Sequence, residues 1–114
     1  MDIRAIVDLY CQAWISKRGD LSTVPLAKDF VFQSPVAHIE GADAYREAAL
    51  EAGRAITKFD VRHIFVDRSV ACAIIDWQMA PMPAPLAAAV VLDVMDGRLF
   101  RNEVIFDADD FFGW

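Results

Sequence analysis

The stretch LAAAVVLDVMDGRLFRNEVIF, residues 86–106, decides the architecture. Two apolar runs flank Asp96-Gly97, and an Asp-Gly pair between such runs favours the positive-φ tight turn of a β-hairpin. The spacing predicts strands over Leu86–Met95 and Leu99–Phe106. Working back along the chain, Ser69–Met79 and Lys58–Val66 read as two further strands joined at Asp67-Arg68. Pro81-Met82-Pro83-Ala84-Pro85 links the middle pair, and alternating prolines fit an extended, polyproline-like connection. A proline-recognition motif is the functional alternative for that segment. The second half of the chain is therefore read as four antiparallel strands.

The first half reads as helices around one strand. Asp2 can cap a helix, and Ile3, Ile6, Val7, Tyr10, Cys11 and Trp14 recur at three- and four-residue steps along one face. Lys17, Arg18 and Gly19 suit its C-terminus, so the first helix is expected over Ile3–Arg18. Leu21–Ala27 reads as a short second helix or helical turn. Asp29–Ser34 alternates like a strand and stops at Pro35, which cannot donate to a ladder. Val36–Gly41 reads as a loop, and Ala42–Arg54 as a third helix weakened by Gly53 in its last turn.

The chain has 114 residues, room for one domain, and 56% of them are hydrophobic. That fraction is enough to fill a core and also to line a cavity or cover a partner surface. A net charge of −6 with scattered Lys and Arg opposes binding to nucleic acid or to an anionic membrane. Cys11 and Cys72 form no CxxC or metal-ligand spacing, so core packing is expected and no metal or cofactor is implied. No apolar run reaches the ~20 residues of a membrane span. The N-terminus lacks the pattern of a signal peptide, so a cytoplasmic location is expected.

Several short motifs, in order, resemble the nuclear transport factor 2-like superfamily and its SnoaL-like branch. They are Tyr10-Cys11-Gln12-Ala13-Trp14 with Gly19-Asp20-Leu21, then Asp29-Phe30-Val31-Phe32 with Ser34-Pro35-Val36. Ile39-Glu40-Gly41 leading to Ala44-Tyr45-Arg46, then Asp96-Gly97-Arg98-Leu99 and Phe106-Asp107, complete the set. The resemblance implies a single α+β domain over residues 1–114. Its expected form is a cone: a strongly curved, mostly antiparallel sheet with three helices from the N-terminal half packed on the concave face. A cavity between sheet and helices is implied, as is frequent dimerisation through the outer sheet face. Function is not implied, because the superfamily spans isomerases, cyclases, epoxide hydrolases, dehydratases and non-catalytic binding domains.

The resemblance also locates where related enzymes keep their catalytic groups. The helix-one tyrosine of the isomerases matches Tyr10. Their carboxylate base falls on Ser34, whose hydroxyl cannot replace a carboxylate near neutral pH, and their second acid falls near Val90. The last-strand aspartate of hydrolases and cyclases falls near Val104. Asn102 is then the polar group expected to face inward, unless a one-residue slip turns Glu103 inward instead.

Two further groups admit two readings each. His63 shares strand parity with the apolar Phe59, Val61 and Phe65, which makes it either a cavity base or a histidine at the edge of the core. Asp93 lies opposite Arg101 on the outer face if the Asp96-Gly97 turn spans three residues. If the turn spans two, it pairs with Phe100 and joins the face of Asn102. His38 is expected at the surface.

The expected pocket is lined by Tyr10, Trp14, Phe30, Phe32, Ser34, Phe59, His63, Trp77, Asn102 and Val104. Such walls suit a small hydrophobic molecule. The alternative is an isomerase, dehydratase or cyclase with Tyr10 and His63 in acid–base roles and Asp93 as a further candidate. An apolar outer face carrying Val70, Cys72, Ile74 and Val91 favours a homodimer. Phe111, Phe112 and Trp114 would be costly to leave in water, so the tail is expected to be ordered.

Overall fold

The computed structural model describes residues 1–112. Helix α1 (Ile3–Ile15) is followed by β1 (Leu26–Gln33), β2 (His38–Glu40) and helix α2 (Ala42–Ala55). Strands β3 (Ile56–Asp67), β4 (Val70–Met79), β5 (Leu86–Met95) and β6 (Arg98–Ile105) come next, and helix α3 (Ala108–Phe112) ends the described chain. The six strands form one sheet in the order β2-β1-β6-β5-β4-β3. All neighbours are antiparallel except β1 and β6. No helix among the described residues is long and apolar enough to cross a membrane. The α+β cone is the observed fold, with one change to the helix count. Two helices lie in the N-terminal half, and the third is the short α3 at the other end of the chain.

Local chemistry explains where elements start and stop. The Asp2 carboxylate accepts the Ala5 N–H at 2.9 Å and caps α1. The helix ends three residues before Arg18. The Ser16 N–H and Oγ both close on the Gln12 carbonyl, and Arg18 and Gly19 then take positive φ. The short helix expected over Leu21–Ala27 is a turn followed by strand. Asp20 accepts the Ser22 N–H, and Pro25, which has no N–H, blocks helix propagation while its carbonyl accepts from Leu99. The expected loop after Pro35 contains β2. Ser34 Oγ accepts the N–H groups of Val36 and Ala37, and this tight turn sends the chain back along β1.

The inner sheet face carries Ala71, Ala73, Ile75 and Trp77 of β4, and Leu86, Ala88, Val90 and Leu92 of β5, all buried. Ile6, Val7, Tyr10, Cys11 and Ala13 of α1 pack over it, while α2 covers the β1–β2 side. Each fully buried Ile, Val or Leu contributes about 1.5–3 kcal/mol. In the proline-rich connection, Met82 is buried and bonded back to β4. Its N–H donates to Met79 and its carbonyl accepts from Gln78. The segment is thus a loop folded back on β4 rather than an extended connection. Both cysteines are free, and the described residues contain no cluster that could hold a metal ion.

The turn that follows α1 and the last turns of α2 meet backbone to backbone. A Cβ on Gly53 would collide with the Arg18 carbonyl, and one on Gly19 with the Ala49 carbonyl. Gly53 therefore permits a close crossing of α2 over the Arg18–Gly19 turn, which outweighs its cost in helix propensity. Gly53→Ala is expected to lose about 3 kcal/mol in urea denaturation. An exposed helical glycine would instead gain stability from the same change, so a stabilised variant would contradict the crossing.

Candidate functional site

Between α1, α2 and the wide end of the sheet lies a cavity of about 320 Å³. Tyr10 and Trp14, one turn apart on α1, form one wall. Trp14 stacks on Phe59 of β3 with ring centroids 6.1 Å apart and meets Tyr10 edge-on at 6.5 Å. Phe32 of β1 stacks on Tyr45 of α2 at 5.0 Å. Ile75 and Trp77 of β4, Val90 of β5 and Val104 of β6 supply the sheet side. Ala48, Ala49 and Ala52 of α2 add a smooth apolar surface, and Phe106 and Phe111 close one side. None of the lining side chains carries a charge at neutral pH.

A polar cluster stands at the buried wall of this cavity. Asn102 has no exposed surface. Its Nδ2 donates to the hydroxyl oxygens of Tyr10 at 2.7 Å and Tyr45 at 3.1 Å. Burial, the largest cause, pushes the Tyr10 phenol up to about 12, against the hydrogen bonds from Tyr45 and Asn102. Burial likewise raises Tyr45 well above the usual phenol value, with the neighbouring Tyr10 adding to it. Both phenols are neutral donors across the physiological range. Asn102 Oδ1 and the indole Nε1 atoms of Trp14 and Trp77 are buried with no hydrogen-bond partner among the described residues. Each such orphan costs about 1–3 kcal/mol. Ser34 also lines the cavity, but its Oγ is engaged by the β1–β2 turn.

The ten residues expected to line the pocket separate into groups. Tyr10, Trp14, Phe32, Ser34, Phe59, Trp77 and Val104 do line it. Phe30 is fully buried against Tyr45 at 4.7 Å, behind the wall, and Asn102 is likewise set back and reaches the cavity only through the two phenols. His63 is a correction: it lies on the outer face. Val61 pairs with Ile75 and His63 with Ile74, so Arg62 is an extra residue. That bulge reverses the parity of the rest of β3. His63 is exposed and stacks on the exposed Phe65 at 5.9 Å. His38 is exposed at the sheet edge, with Nδ1 2.6 Å from Gln33 Oε1.

Asp93 also lies outside, opposite Arg101, but not through a three-residue turn. Met95 pairs with Arg98 across the two-residue Asp96-Gly97 turn, and a bulge at Phe100 then restores the Asp93–Arg101 alignment. Arg101 reaches Glu103 at 3.5 Å on the same face. The slip that would turn Glu103 inward does not occur, because Asn102 pairs with the buried Leu92. Among the groups that sequence reasoning missed are Tyr45 and the α2 alanines. The signal for both was present as Tyr45, Ala48, Ala49 and Ala52, an apolar stripe at helical spacing.

Removing the amide that holds both phenols is expected to be costly. Asn102→Ala should lose about 3 kcal/mol in chemical denaturation, whereas independence of the two phenols from Asn102 would leave less than about 1 kcal/mol. The raised phenol pKa values also set an alkaline limit. An unfolded tyrosine ionises near 10 and the folded Tyr10 near 12. Stability from this group is complete below pH 10 and is lost as pH rises through 12, by about 3 kcal/mol. Tyr10→Phe should flatten this part of the pH–stability curve.

Residues 7–102 match the sequence model of the SnoaL-like domain family. No curated protein matches the chain. Among solved structures, a nuclear transport factor 2-like protein of unknown function from Cytophaga hutchinsonii superposes with a TM-score of 0.84 at 22% identity, covering 98% of this chain and 96% of that one. A protein from Kribbella flavida gives a TM-score of 0.80 at 29% identity, over 95% and 88% of the two chains. An LEH-like epoxide hydrolase from M. tuberculosis gives 0.76 at 18% identity, over 95% and 84%. These similarities extend over the cone as a whole, helices and curved sheet together. The chain belongs to the SnoaL-like domain family, and its fold is that of a nuclear transport factor 2-like protein.

Proposed function

We propose that the domain is a receptor for a small, uncharged, mostly apolar molecule held in the cavity between α1, α2 and the sheet. The observation that carries this reading is the cavity wall itself: about 320 Å³ lined by mostly aromatic and aliphatic side chains, with no charged group among them. A charged ligand would surrender its hydration there without a counter-charge in return. The volume lies at the lower end of ordinary ligand sites and suits a compact molecule of one or two rings. The polar contribution comes from Tyr10 and Tyr45. Asn102 donates both its N–H hydrogens to them, so each phenol keeps its own proton. One of these can serve the other phenol, which leaves a hydroxyl donor for the ligand.

An acid–base enzyme is the second reading, and the wall supports it less. The positions where the resemblance puts carboxylates hold Ser34, Val90 and Val104, all facing the cavity. His63 and Asp93, the candidate proton carriers, face away from Tyr10 across the sheet. The likeness to an epoxide hydrolase is a likeness of fold and supplies no carboxylate here.

We also propose that the domain pairs with a second copy through its outer sheet face. His63, Ile74, Ala89 and Ile105 form one row across four strands, and Phe65, Cys72, Val91 and Glu103 the next. Phe65 is 60% exposed and Ile105 52%. A two-fold contact would remove this apolar surface from water.

Two measurements test these readings. A screen of neutral hydrophobic molecules by thermal shift and NMR should find ligands that raise Tm by roughly 10 °C at a hundred times their Kd. A panel that moves neither Tm nor any cavity resonance would refute the receptor reading. In sedimentation equilibrium the chain should be a dimer. Phe65→Asp combined with Ile105→Glu should give a monomer with an unchanged circular dichroism spectrum, and a monomeric parent chain would refute the dimer.

A further inference from the structure

The cavity is lined on one side by Phe106 and by Phe111 of the short helix α3. Helix α3 has no buried residue. It is started by the chain's own Asp107, whose carboxylate accepts the Asp109 N–H and whose carbonyl accepts the Phe111 N–H. Its link to the cavity is Phe111, which packs on Trp77 at 5.9 Å and on Phe106 at 5.6 Å. Trp77 is only 8% exposed, and its indole Nε1 is buried without a hydrogen-bond partner among the described residues. An aromatic side chain of a five-residue helix thus packs on the indole ring whose N–H is buried and unsatisfied among the described residues. A phenyl ring contributes dispersion there but no lone pair.

We propose that Phe111 is a placeholder in a ligand subsite at Trp77, displaced by a neutral aromatic ligand that carries a hydrogen-bond acceptor. The inference rests on the receptor reading and adds to it the chemistry of one end of the ligand. A ring entering beside Trp77 and Phe106 replaces the contacts that Phe111 gave up. A carbonyl or ether oxygen on that ring accepts from Trp77 Nε1, which no described side chain does. A buried donor for which the described residues supply no acceptor gains a protein-side partner only when the ligand brings one. The displacement of α3 removes no buried side chain from the core, so the opening is local.

The test uses the full chain and two probes of matched shape, 2-acetylnaphthalene and 2-ethylnaphthalene, which differ in one acceptor oxygen. The ketone should bind about tenfold more tightly and move the Trp77 indole proton signal downfield, with that signal assigned from the spectrum of Trp77→Phe. In stopped-flow measurements Phe111→Ala should raise the association rate of both probes about tenfold, since the internal competitor is gone. Equal affinities with an unmoved Trp77 signal would overturn the subsite and leave the receptor reading standing. A tighter ketone that leaves Trp77 unmoved would place the acceptor at another donor of the wall, a phenol or the Trp14 indole, and also overturn it. Weaker binding by Phe111→Ala, with no gain in association rate, would show a fixed wall instead of a placeholder. Probes that perturb no cavity residue would sink both readings together.

Discussion

A single buried amide connects the two long helices to the sheet. Asn102 projects from the middle of β6 and donates to Tyr10 on α1 and to Tyr45 on α2. Apolar contacts alone would let each helix slide over the inner face, because hydrophobic burial is non-directional. The two hydrogen bonds fix both helices at one depth above the same strand. They also pin the phenols at the cavity wall, so the bonds that define the helix positions define the site. An amide suits this place because both hydrogens of its Nδ2 find a phenolic oxygen, while an aspartate would bring an unpaired charge into a dry core.

The cavity follows from how side-chain size is distributed along the strands. At one end of β4, Ala71 and Ala73 are opposed by Leu92 and Val90, and such small residues allow close packing. At the other end Trp77 stands with Phe59 across the β3–β4 pair, and their rings fill the height between sheet and helix. Ala48, Ala49 and Ala52 on the facing side of α2 give those rings little to interlock with. The close approach of Gly53 and Ala49 to the Arg18–Gly19 turn ties α2 to the chain after α1, which sets the height of α2 over the aromatics. The hollow is the volume left between a helix tied at that turn and a sheet end propped by large rings.

The architecture was legible where periodicity is uninterrupted. α1, α2, β4 and β5 fall close to where the three- and four-residue and two-residue patterns place them. The misreadings have local causes of one kind. Arg62 adds a residue to β3, and every side chain after it changes face, which moved His63 from the cavity to the outside. The bulge at Phe100 does the same on β6, and it aligned Asp93 with Arg101 despite a two-residue turn. Alternation cannot reveal a bulge, because the bulged strand has the same composition as the regular one. β2 was hidden because it has three residues and is defined by the Ser34 turn rather than by a pattern of its own. Within the described residues the aromatic tail is helical up to Phe112. Trp114, included in the sequence expectation, lies outside them.

The wall that remains is chemically lopsided. Besides Ser34, its polar groups are two phenol hydroxyls and the indole N–H groups of Trp14 and Trp77, all of which can donate. The acceptors nearby are already engaged or out of reach: Ser34 Oγ takes two backbone N–H groups, and Asn102 Oδ1 is set back behind the phenols. With both phenols raised above the ordinary value, the donors keep their protons at any pH a cell maintains. A ligand rich in N–H or O–H groups would find few partners and bury its donors unsatisfied. A ligand with one or two carbonyl, ether or similar oxygens on an apolar frame would satisfy the wall and be satisfied by it. Selectivity here rests on the sign of the hydrogen-bonding mismatch as much as on shape. That discrimination requires no proton carrier, and the cavity offers it with His63 and Asp93 on the far side of the sheet.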